Sequence, residues 1–398
     1  MSSAKVTVDV TSMAAGGDAI ARLPDGRVCF VRGGLPGERL VVDVVEQRRD
    51  YARAVPVEVL TPSPERIEPP CAARRAGCGG CDWQHISAAG QRRWKTEIVV
   101  DALRRTARLP DARVEWGGSV APWGYRTSMR LAPASDGSLG LRAASSNRVV
   151  VIDECPVADP MLDDLRRSTR ATGRDEVSLR VGRSSGDRSV WSPGDAATVV
   201  RERVEGVELE VSSPSFFQSG PDAAALLVDT VRRAVGPPIG QGRLLDAYGG
   251  VGLFAATLGW PHCVVVESAT SSCGDARRNL PPHARVVESR LEDWPAESVD
   301  AVVADPARTG LGRGGVAIIA ATGAERVVLV SCDPVAMARD TALLAGVGLE
   351  HERSVVLDLF PQTHHVEVVT TYLPRRDMQR STRSRNAAAS DGEALSTP

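Results

Sequence analysis

Short runs of alternating apolar and polar residues, separated by glycine-containing turns, fill the first sixty positions. The run "KVTVDV" alternates with a period of two, and D-G and P-G pairs punctuate the segment that follows it. Such alternation is typical of half-buried strands joined by tight turns. Five short strands at this spacing predict a small barrel over residues 1–62. The proline-rich stretch "TPSPERIEPP" then predicts a linker.

From residue 206 onward the pattern changes to apolar strands that alternate with helical stretches. Helices are predicted over residues 221–235, 252–259, 270–279, 314–322 and 334–346. This alternation predicts a doubly wound α/β sheet over residues 206–374. Residues 63–205 predict a small α+β region with a helix near residues 87–107. The Arg-, Ser- and Ala-rich residues 375–398 have no periodicity and are expected to be disordered.

The composition narrows the class of protein without identifying it. The 398 residues are 42% hydrophobic and 25% charged, as in an ordinary globular chain of two or three domains. The formal net charge of −2 provides no global field that would attract nucleic acid. No apolar run is long enough for a membrane span, and the N-terminus lacks the pattern of a signal peptide. We therefore expect a cytoplasmic protein, and a monomer.

Three of the eight cysteines lie within eleven residues, in "CAARRAGCGGC". Cys71, Cys78 and Cys81 have the spacing of ligands for zinc or an iron–sulfur cluster, and Gly79 and Gly80 would allow a tight turn between them. Cys155, which precedes a proline, is the best candidate for a fourth ligand. A redox C-x-x-C pair is the less favoured alternative. The spacing does not decide between zinc and iron–sulfur.

A glycine-rich turn at the end of one predicted strand indicates a nucleotide-type site. The segment "LLDAYGGVGLFAA" contains G-x-G-x-x-A from Gly250 to Ala255, and Glu267 ends the next strand. An acid at that position can bind ribose hydroxyls. Asp246, just before the turn, favours S-adenosylmethionine over a dinucleotide, because that donor has no pyrophosphate to place at a helix N-terminus. The turn alone leaves both ligands open.

Two further strands end in reactive residues. Asp305 follows the strand in "VVADPARTG", and Cys332 follows the strand in "VVLVSCDPVAMARD". Ligands of open α/β sheets bind outside the carboxyl ends of the strands, so these residues should share one edge with Asp246 and Glu267. Cys332 is then a candidate nucleophile, although many free cysteines are inert core residues.

Taken in order, these motifs resemble those of the class I S-adenosylmethionine-dependent RNA (uracil-5-)methyltransferases, over about residues 5–373. The N-terminal barrel resembles the OB-like, RNA-binding TRAM domain. The segment "CGGCDWQH", followed by Gln91 and Lys95, resembles the iron–sulfur motif of the ribosomal branch. The resemblance implies a Rossmann-like methyltransferase domain and a [4Fe–4S] cluster with Cys155 as the fourth ligand. It also implies an RNA substrate, with 23S ribosomal RNA favoured over transfer RNA.

The resemblance also implies roles for single residues. "SPSFFQSG" resembles an element whose glutamine, here Gln218, contacts the donor, and "DAYGGVG" places Tyr248 in a donor-binding position. "DPARTGLG" places Asp305 near donor and substrate. "SCDPVAMARD" carries the nucleophile Cys332, and "FPQTHHVEVV" carries the base Glu367. The implied reaction is methylation of uridine C5 through a covalent adduct between the cysteine and C6.

Four positions depart from the family pattern. They are Gly249, Leu253, Arg290 and Asp333. The first three affect secondary contacts with the donor. Asp333 adds a negative charge beside Cys332, which we expect to oppose thiolate formation. Two alternatives are an NAD-dependent oxidoreductase, which would rest on the glycine turn alone, and a non-catalytic RNA-binding protein.

Overall fold

The computed structural model describes residues 5–144 and 146–375. Apart from Arg375, the segment 375–398 that we expected to be disordered lies outside the described residues. Within the described ranges, no helix is long and apolar enough to cross a membrane.

The N-terminal residues form a closed five-stranded barrel, as predicted. Its strands are β1 (Lys5–Met13), β2 (Ala19–Arg22), β3 (Val28–Val31), β4 (Arg39–Gln47) and β5 (Tyr51–Thr61). They pair in the order β1-β2-β3-β5-β4. Alternate residues of the strands, among them Val8, Val31 and Leu40, fill the interior, as the period of two requires.

The middle of the chain contains helices α1 (Ala72–Arg75), α2 (Ala88–Ala102) and α3 (Pro160–Ser168). Helix α2 continues as a π-helical turn, Leu103–Ala107, which confirms the helix predicted near residues 87–107. The strands of this part are β6 (Val114–Ser119), β7 (Ser128–Pro133), β8 (Leu139–Arg142), β9 (Val149–Val151), β10 (Val177–Val181) and β11 (Arg188–Trp191). Five of them form an antiparallel sheet in the order β11-β10-β7-β8-β9.

The remaining elements alternate as the sequence predicts. The helices are α4 (Pro221–Val235), α5 (Leu253–Thr257), α6 (Thr270–Asn279), α7 (Gly312–Ala321) and α8 (Pro334–Gly346). The strands are β12 (Val199–Val204), β13 (Val207–Ser212), β14 (Arg243–Ala247), β15 (His262–Glu267), β16 (Arg285–Glu288), β17 (Ala301–Ala304), β18 (Arg326–Ser331), β19 (Leu349–Asp358) and β20 (Glu367–Pro374).

An eight-stranded sheet forms the centre of this part, in the order β16-β15-β14-β17-β18-β20-β19-β6. Both of its faces are covered: Leu244 of β14 belongs to one apolar cluster and the next residue, Leu245, to another. A strand buried on both faces is what a doubly wound sheet requires. The five strands from β16 to β18 are parallel, whereas β20 is antiparallel to both β18 and β19.

The strand pairings differ from the sequence-based division in two places. Strand β6 lies within the range 63–205, yet it is the eighth strand of the large sheet, where it runs parallel to β19. Strand β13, placed by the sequence within 206–374, pairs only with β12 in a separate two-stranded hairpin. Pairing with a distant segment places β6 in the large sheet, and hydrophobic periodicity does not report on such pairing. Strand β13 instead pairs with its neighbour in the chain, β12, across a short turn.

Candidate active site

Three neighbouring strands of the large sheet end at the same edge, and a candidate site residue follows each of them. Tyr248 follows β14, Asp305 follows β17 and Cys332 follows β18. The antiparallel strand β20 begins at this edge with Glu367, because Val368 pairs with Ser331. The fold therefore brings Asp305, Cys332 and Glu367 together, although 62 residues separate Asp305 from Glu367 in the chain.

Burial, together with two neighbouring acids, makes the thiol of Cys332 difficult to ionise. Burial raises its pKa to about 11, and the charges of Glu367 and Asp305 act in the same direction. The guanidinium of Arg308 opposes them. Burial also raises the pKa of Asp305, and burial together with Asp305 raises that of Glu367 well above its ordinary value. The site thus disfavours the accumulation of negative charge.

Asp333, which is adjacent to Cys332 in the sequence, directs its side chain to the start of α8. Its carboxylate is the N-cap of α8 and accepts hydrogen bonds from the backbone of Val335 at 2.9 Å and Ala336 at 2.8 Å. The acids that raise the pKa of Cys332 are Glu367 and Asp305. The start of α8 decides the direction of the Asp333 side chain, and adjacency to Cys332 in the sequence does not report that direction.

A second part of the site is a cavity of about 260 Å³ beside the glycine turn. Its lining includes Tyr248, Glu267, Ser289, Arg290 and Pro306. Tyr248 has a φ of 60°, an uncommon conformation for a bulky residue and one that is often found at functional sites. Glu267 is held by the turn, since its carboxylate accepts hydrogen bonds from Gly250 N at 3.0 Å and Ala269 N at 2.7 Å.

A buried carboxylate lies just before the glycine turn in the chain. Asp246 is fully buried and accepts a 3.0 Å hydrogen bond from Ala255 N, while its other oxygen has no partner. Burial raises its pKa to about 7, and Asp305 and Glu267 add to the shift. Gly250, with a φ of 55°, has no heavy atom near the position of a Cβ, so a ligand can approach its backbone.

Gln218 is not among the residues that line this cavity. It is buried between β13 and α4, and the next residue, Ser219, donates a 3.0 Å hydrogen bond to the carbonyl of Leu359. This bond ties the Gln218 segment to the loop that leads into β20. The structure therefore places the residue next to Gln218 against the loop that leads into β20, although the two segments are about 140 residues apart in the chain.

Two residues outside the set of candidate site residues brace the loop after Asp305. Asp340 is fully buried and accepts hydrogen bonds from Leu311 N at 2.6 Å and Gly312 N at 3.1 Å. Arg339 donates to the carbonyl of Thr309. A charged pair one turn into α8 could have been recognised in the sequence, but its target, about thirty residues earlier, could not.

The four candidate metal ligands meet at a second place in the fold. Cys71, Cys78, Cys81 and Cys155 line one cavity of about 60 Å³, and none of them forms a disulfide. Among residues 5–144 and 146–375, no group of three or more His, Cys, Asp or Glu residues has the arrangement of a metal site. Thiols are the donor type that zinc and iron–sulfur clusters take, and four of them line this one cavity.

The glycines of the cysteine loop allow the close approach of a neighbouring strand. Neither Gly79 nor Gly80 has a positive φ. A Cβ on Gly79 would lie 2.9 Å from the carbonyl oxygen of Arg142, and one on Gly80 would lie 2.7 Å from Leu141. Close approach of β8 therefore requires these glycines. Gly80 N also donates to Cys78 Sγ at 3.5 Å.

Comparisons with known proteins agree with this arrangement. Residues 3–57 match the TRAM domain family. The chain is 35% identical to a Streptomyces avermitilis protein described as an uncharacterized RNA methyltransferase, over 92% of this chain and 98% of the relative. It is 28% identical to the 23S rRNA (uracil(1939)-C(5))-methyltransferase RlmD of Shewanella baltica, over 93% and 96% of the two chains.

Among solved structures, the tRNA (uracil-54, C5)-methyltransferase of Pyrococcus abyssi, in complex with S-adenosyl-L-homocysteine, has the same fold. The TM-score is 0.69 at 23% identity, over 92% of this chain and 99% of that one. The barrel confirms the predicted TRAM domain, and the relatives decide for an RNA methyltransferase over an NAD-dependent oxidoreductase or a non-catalytic protein. This chain, which contains a TRAM domain, belongs to a family of RNA methyltransferases.

Proposed function

We propose that this protein transfers a methyl group from S-adenosylmethionine to C5 of a uridine in RNA, and that its substrate is 23S ribosomal RNA. The observation that carries the proposal is the convergence of Asp305, Cys332 and Glu367 at one sheet edge, beside a cavity that opens at a glycine turn. The similarity to RlmD supports the choice of ribosomal RNA. A substrate of this kind is in keeping with a cytoplasmic location, which we propose together with a monomeric state.

The methyl donor would be held by residues on both sides of the glycine turn. Glu267 would bind its ribose hydroxyls, and Tyr248 would pack against it in the cavity that both residues line. Gln218 and Asp305 would complete the contacts. The unpartnered oxygen of Asp246, buried beneath the turn, and the open backbone at Gly250 fit a ligand at this place. When bound, S-adenosylmethionine supplies an electrophilic methyl group to the reacting base.

Cys332 would act as the nucleophile. Uracil C5 is a poor nucleophile, but addition of a thiolate to C6 converts the ring to an enolate whose C5 can attack a methyl group. The thiolate, rather than the thiol, is the reactive species. Arg308 is the cation that favours this form, and Asp305 and Glu367 oppose it.

Glu367 would remove the C5 proton after methyl transfer. The residue is only 5% exposed, so removal from water raises the pKa of its carboxyl and makes its carboxylate a stronger base. Asp305, whose pKa is also raised, would hold the uracil edge and donate a hydrogen bond to the enolate oxygen in its protonated form. The target base must leave its stack to reach these groups.

The cysteine cavity would hold a [4Fe–4S] cluster on Cys71, Cys78, Cys81 and Cys155. The support is the set of four thiols around one cavity, together with the resemblance of the cysteine motif to the ribosomal branch. When bound, the cluster would connect the cysteine loop covalently to the segment after β9. We assign the barrel 1–62 and the region 63–205 to RNA contact, and 206–374 to methyl transfer.

The proposal is tested by transfer of a labelled methyl group to RNA from a strain that lacks this gene, followed by nucleoside mass analysis. We expect the label in 5-methyluridine and in a fragment of 23S ribosomal RNA. Cys332→Ala should abolish transfer while calorimetry still detects binding of S-adenosylmethionine. Label in another nucleoside, or full activity of Cys332→Ala, would contradict the proposal.

A further inference from the structure

His364 lies where three parts of the molecule meet. Its ring Nδ1 is 2.5 Å from Asp82 Oδ2, and its backbone N–H donates a 3.1 Å hydrogen bond to Asp82 Oδ1. The barrel approaches from another side, since a Cβ on Gly17 would come within 2.5 Å of His364 Cβ. Asp82 directly follows Cys81, so one carboxylate joins the cysteine loop to a segment near the base.

The base loop, residues 359–366 between β19 and β20, is held by other bonds from the same side. Trp83 N donates to the carbonyl of Gln362 at 2.9 Å. The side chain of Gln91 accepts from Gln362 N at 2.9 Å and donates to its side-chain oxygen at 3.1 Å. Gln362 has a φ of 71°, a conformation that non-glycine residues adopt at a cost. The base loop thus depends on its partners for its shape.

Among these contacts, the pair of Asp82 and His364 lies nearest in the chain to Glu367. Gln362 is five residues before Glu367, whereas His364 is only three residues before it. The ring of His364 also packs on that of His365, with 4.2 Å between the ring centroids. The ring of His365 packs edge-on against that of Phe360, with 5.9 Å between their centroids. Loss of the Asp82 carboxylate would release both the backbone and the ring of His364 and leave the last turn of the base loop without its anchor.

We propose that Asp82 is a positioning residue for Glu367, and that it acts through His364 to couple the cysteine loop to the base. The inference rests on the proposed function. Asp82 contributes little apolar burial, because its side chain is 35% exposed, so its two bonds to His364 are its main contribution to the structure. An error of about 1 Å in the position of a reacting group can slow a reaction on the order of 100-fold.

The order of bond changes provides a specific readout. The thiolate of Cys332 forms a bond to uracil C6, and C5 then takes the methyl group, which releases S-adenosylhomocysteine. Glu367 next removes the proton from C5. The electron pair of that C–H bond restores the C5–C6 double bond, and the C6–S bond breaks to return the thiolate. A misplaced base slows only this last elimination, so methylated RNA should remain covalently bound to the protein.

The test measures turnover and covalent adduct in the full-length protein. Labelled S-adenosylmethionine and RNA are supplied to Asp82→Ala, His364→Ala and Asp82→Asn, and label that migrates with protein on a denaturing gel is quantified. Arg148→Ala is the matched control, because Arg148 contacts the other side of the cysteine loop at Ala76 O and not the base loop. Glu367→Gln serves as the reference for complete loss of the base.

We expect Asp82→Ala and His364→Ala to lower kcat on the order of 10- to 100-fold, with an unchanged KM for RNA and an accumulated adduct. Asp82→Asn keeps an oxygen that can accept from His364 N and should recover much of the rate. Iron content and thermal midpoint should equal those of Arg148→Ala. If Asp82→Ala lowers the thermal midpoint below that of Arg148→Ala, the kcat and the adduct of His364→Ala and Asp82→Asn decide whether Asp82 positions the base.

Two results would overturn the inference, and they have different meanings. If Glu367→Gln traps the adduct but Asp82→Ala and His364→Ala do not, Asp82 does not position the base and the proposed function stands. If Glu367→Gln itself traps no adduct, the proposed role of Glu367 fails and the inference fails with it. In the first of these two cases, a rate that is still lowered by the Asp82 variants would show that Asp82 has a structural role only.

Discussion

The ionisation of Cys332 can be measured without any RNA. With a pKa of about 11, the thiol would be ionised in about one molecule in a thousand at pH 8. An ordinary cysteine with a pKa of about 8.5 would be ionised in roughly a quarter of molecules at that pH. Alkylation by iodoacetamide requires the thiolate. Cys332 should therefore react on the order of 100-fold more slowly than free glutathione at pH 8.

The assay is the rate at which the Cys332 peptide becomes alkylated, followed by mass spectrometry over a range of pH. The rate should rise about tenfold per pH unit from about pH 7.5 to 9.5, where an ordinary thiol already reaches its plateau. Glu367→Gln removes the acid that contributes most to the shift after burial and should lower the pKa. Arg308→Ala removes the opposing cation and should raise it.

Asp333→Asn is the matched control for these variants. Its carboxylate caps α8, so its removal should change the pKa of Cys332 less than Glu367→Gln does. Two results would refute the reasoning. One is an alkylation rate that reaches its plateau below about pH 9 in the wild-type protein; the other is a larger effect of Asp333→Asn than of Glu367→Gln.

Three further predictions concern buried groups. Lys95→Met removes the 2.6 Å partner of Asp358 and should lower the free energy of unfolding by about 3–5 kcal/mol in urea; Asp358→Asn in the same chain should recover part of that loss. Cys155→Ser should lower the iron bound per chain after anaerobic purification, whereas Cys29→Ala, in the barrel, should not. Because burial raises the pKa of Asp246 to about 7, above its unfolded value, its contribution to stability is present at about pH 4 and lost as the pH rises through 7. Asp246→Asn should therefore be more stable than wild type at pH 8 by about 1–3 kcal/mol, and urea midpoints that show the same pH dependence in both proteins would contradict this.

The local hydrophobic pattern was sufficient to predict the helices and strands, but not to predict which distant segments they contact. Helices α4 to α8 lie where the periodicity predicts them, because each is a continuous amphipathic or apolar stretch. The position of β6 could not be found in this way, since its neighbour β19 lies more than two hundred residues later. The same limit applies to Asp82 and His364, which are 282 residues apart.

The candidate site was predictable where it depends on strand ends. Asp305 and Cys332 were placed at the sheet edge because ligands bind outside the carboxyl ends of parallel strands. Glu367 begins an antiparallel strand, so only the resemblance to a known family identified it. The role of Asp333 as the N-cap of α8 was not predicted, because the sequence shows that a carboxylate is adjacent to Cys332 but not where it points.

The charges at the sheet edge also suit the order of the proposed reaction. Cys332 and Glu367 each disfavour the ionisation of the other, because interaction between two like charges is mutual. The reaction needs the thiolate at its start and the carboxylate only after methyl transfer. Once the thiolate has become a thioether in the adduct, its charge is gone, and its opposition to the ionisation of Glu367 ends. The repulsion between Cys332 and Glu367 hinders the ionisation of both groups at once. Its loss in the adduct therefore helps to make Glu367 available as a base at the step that uses it.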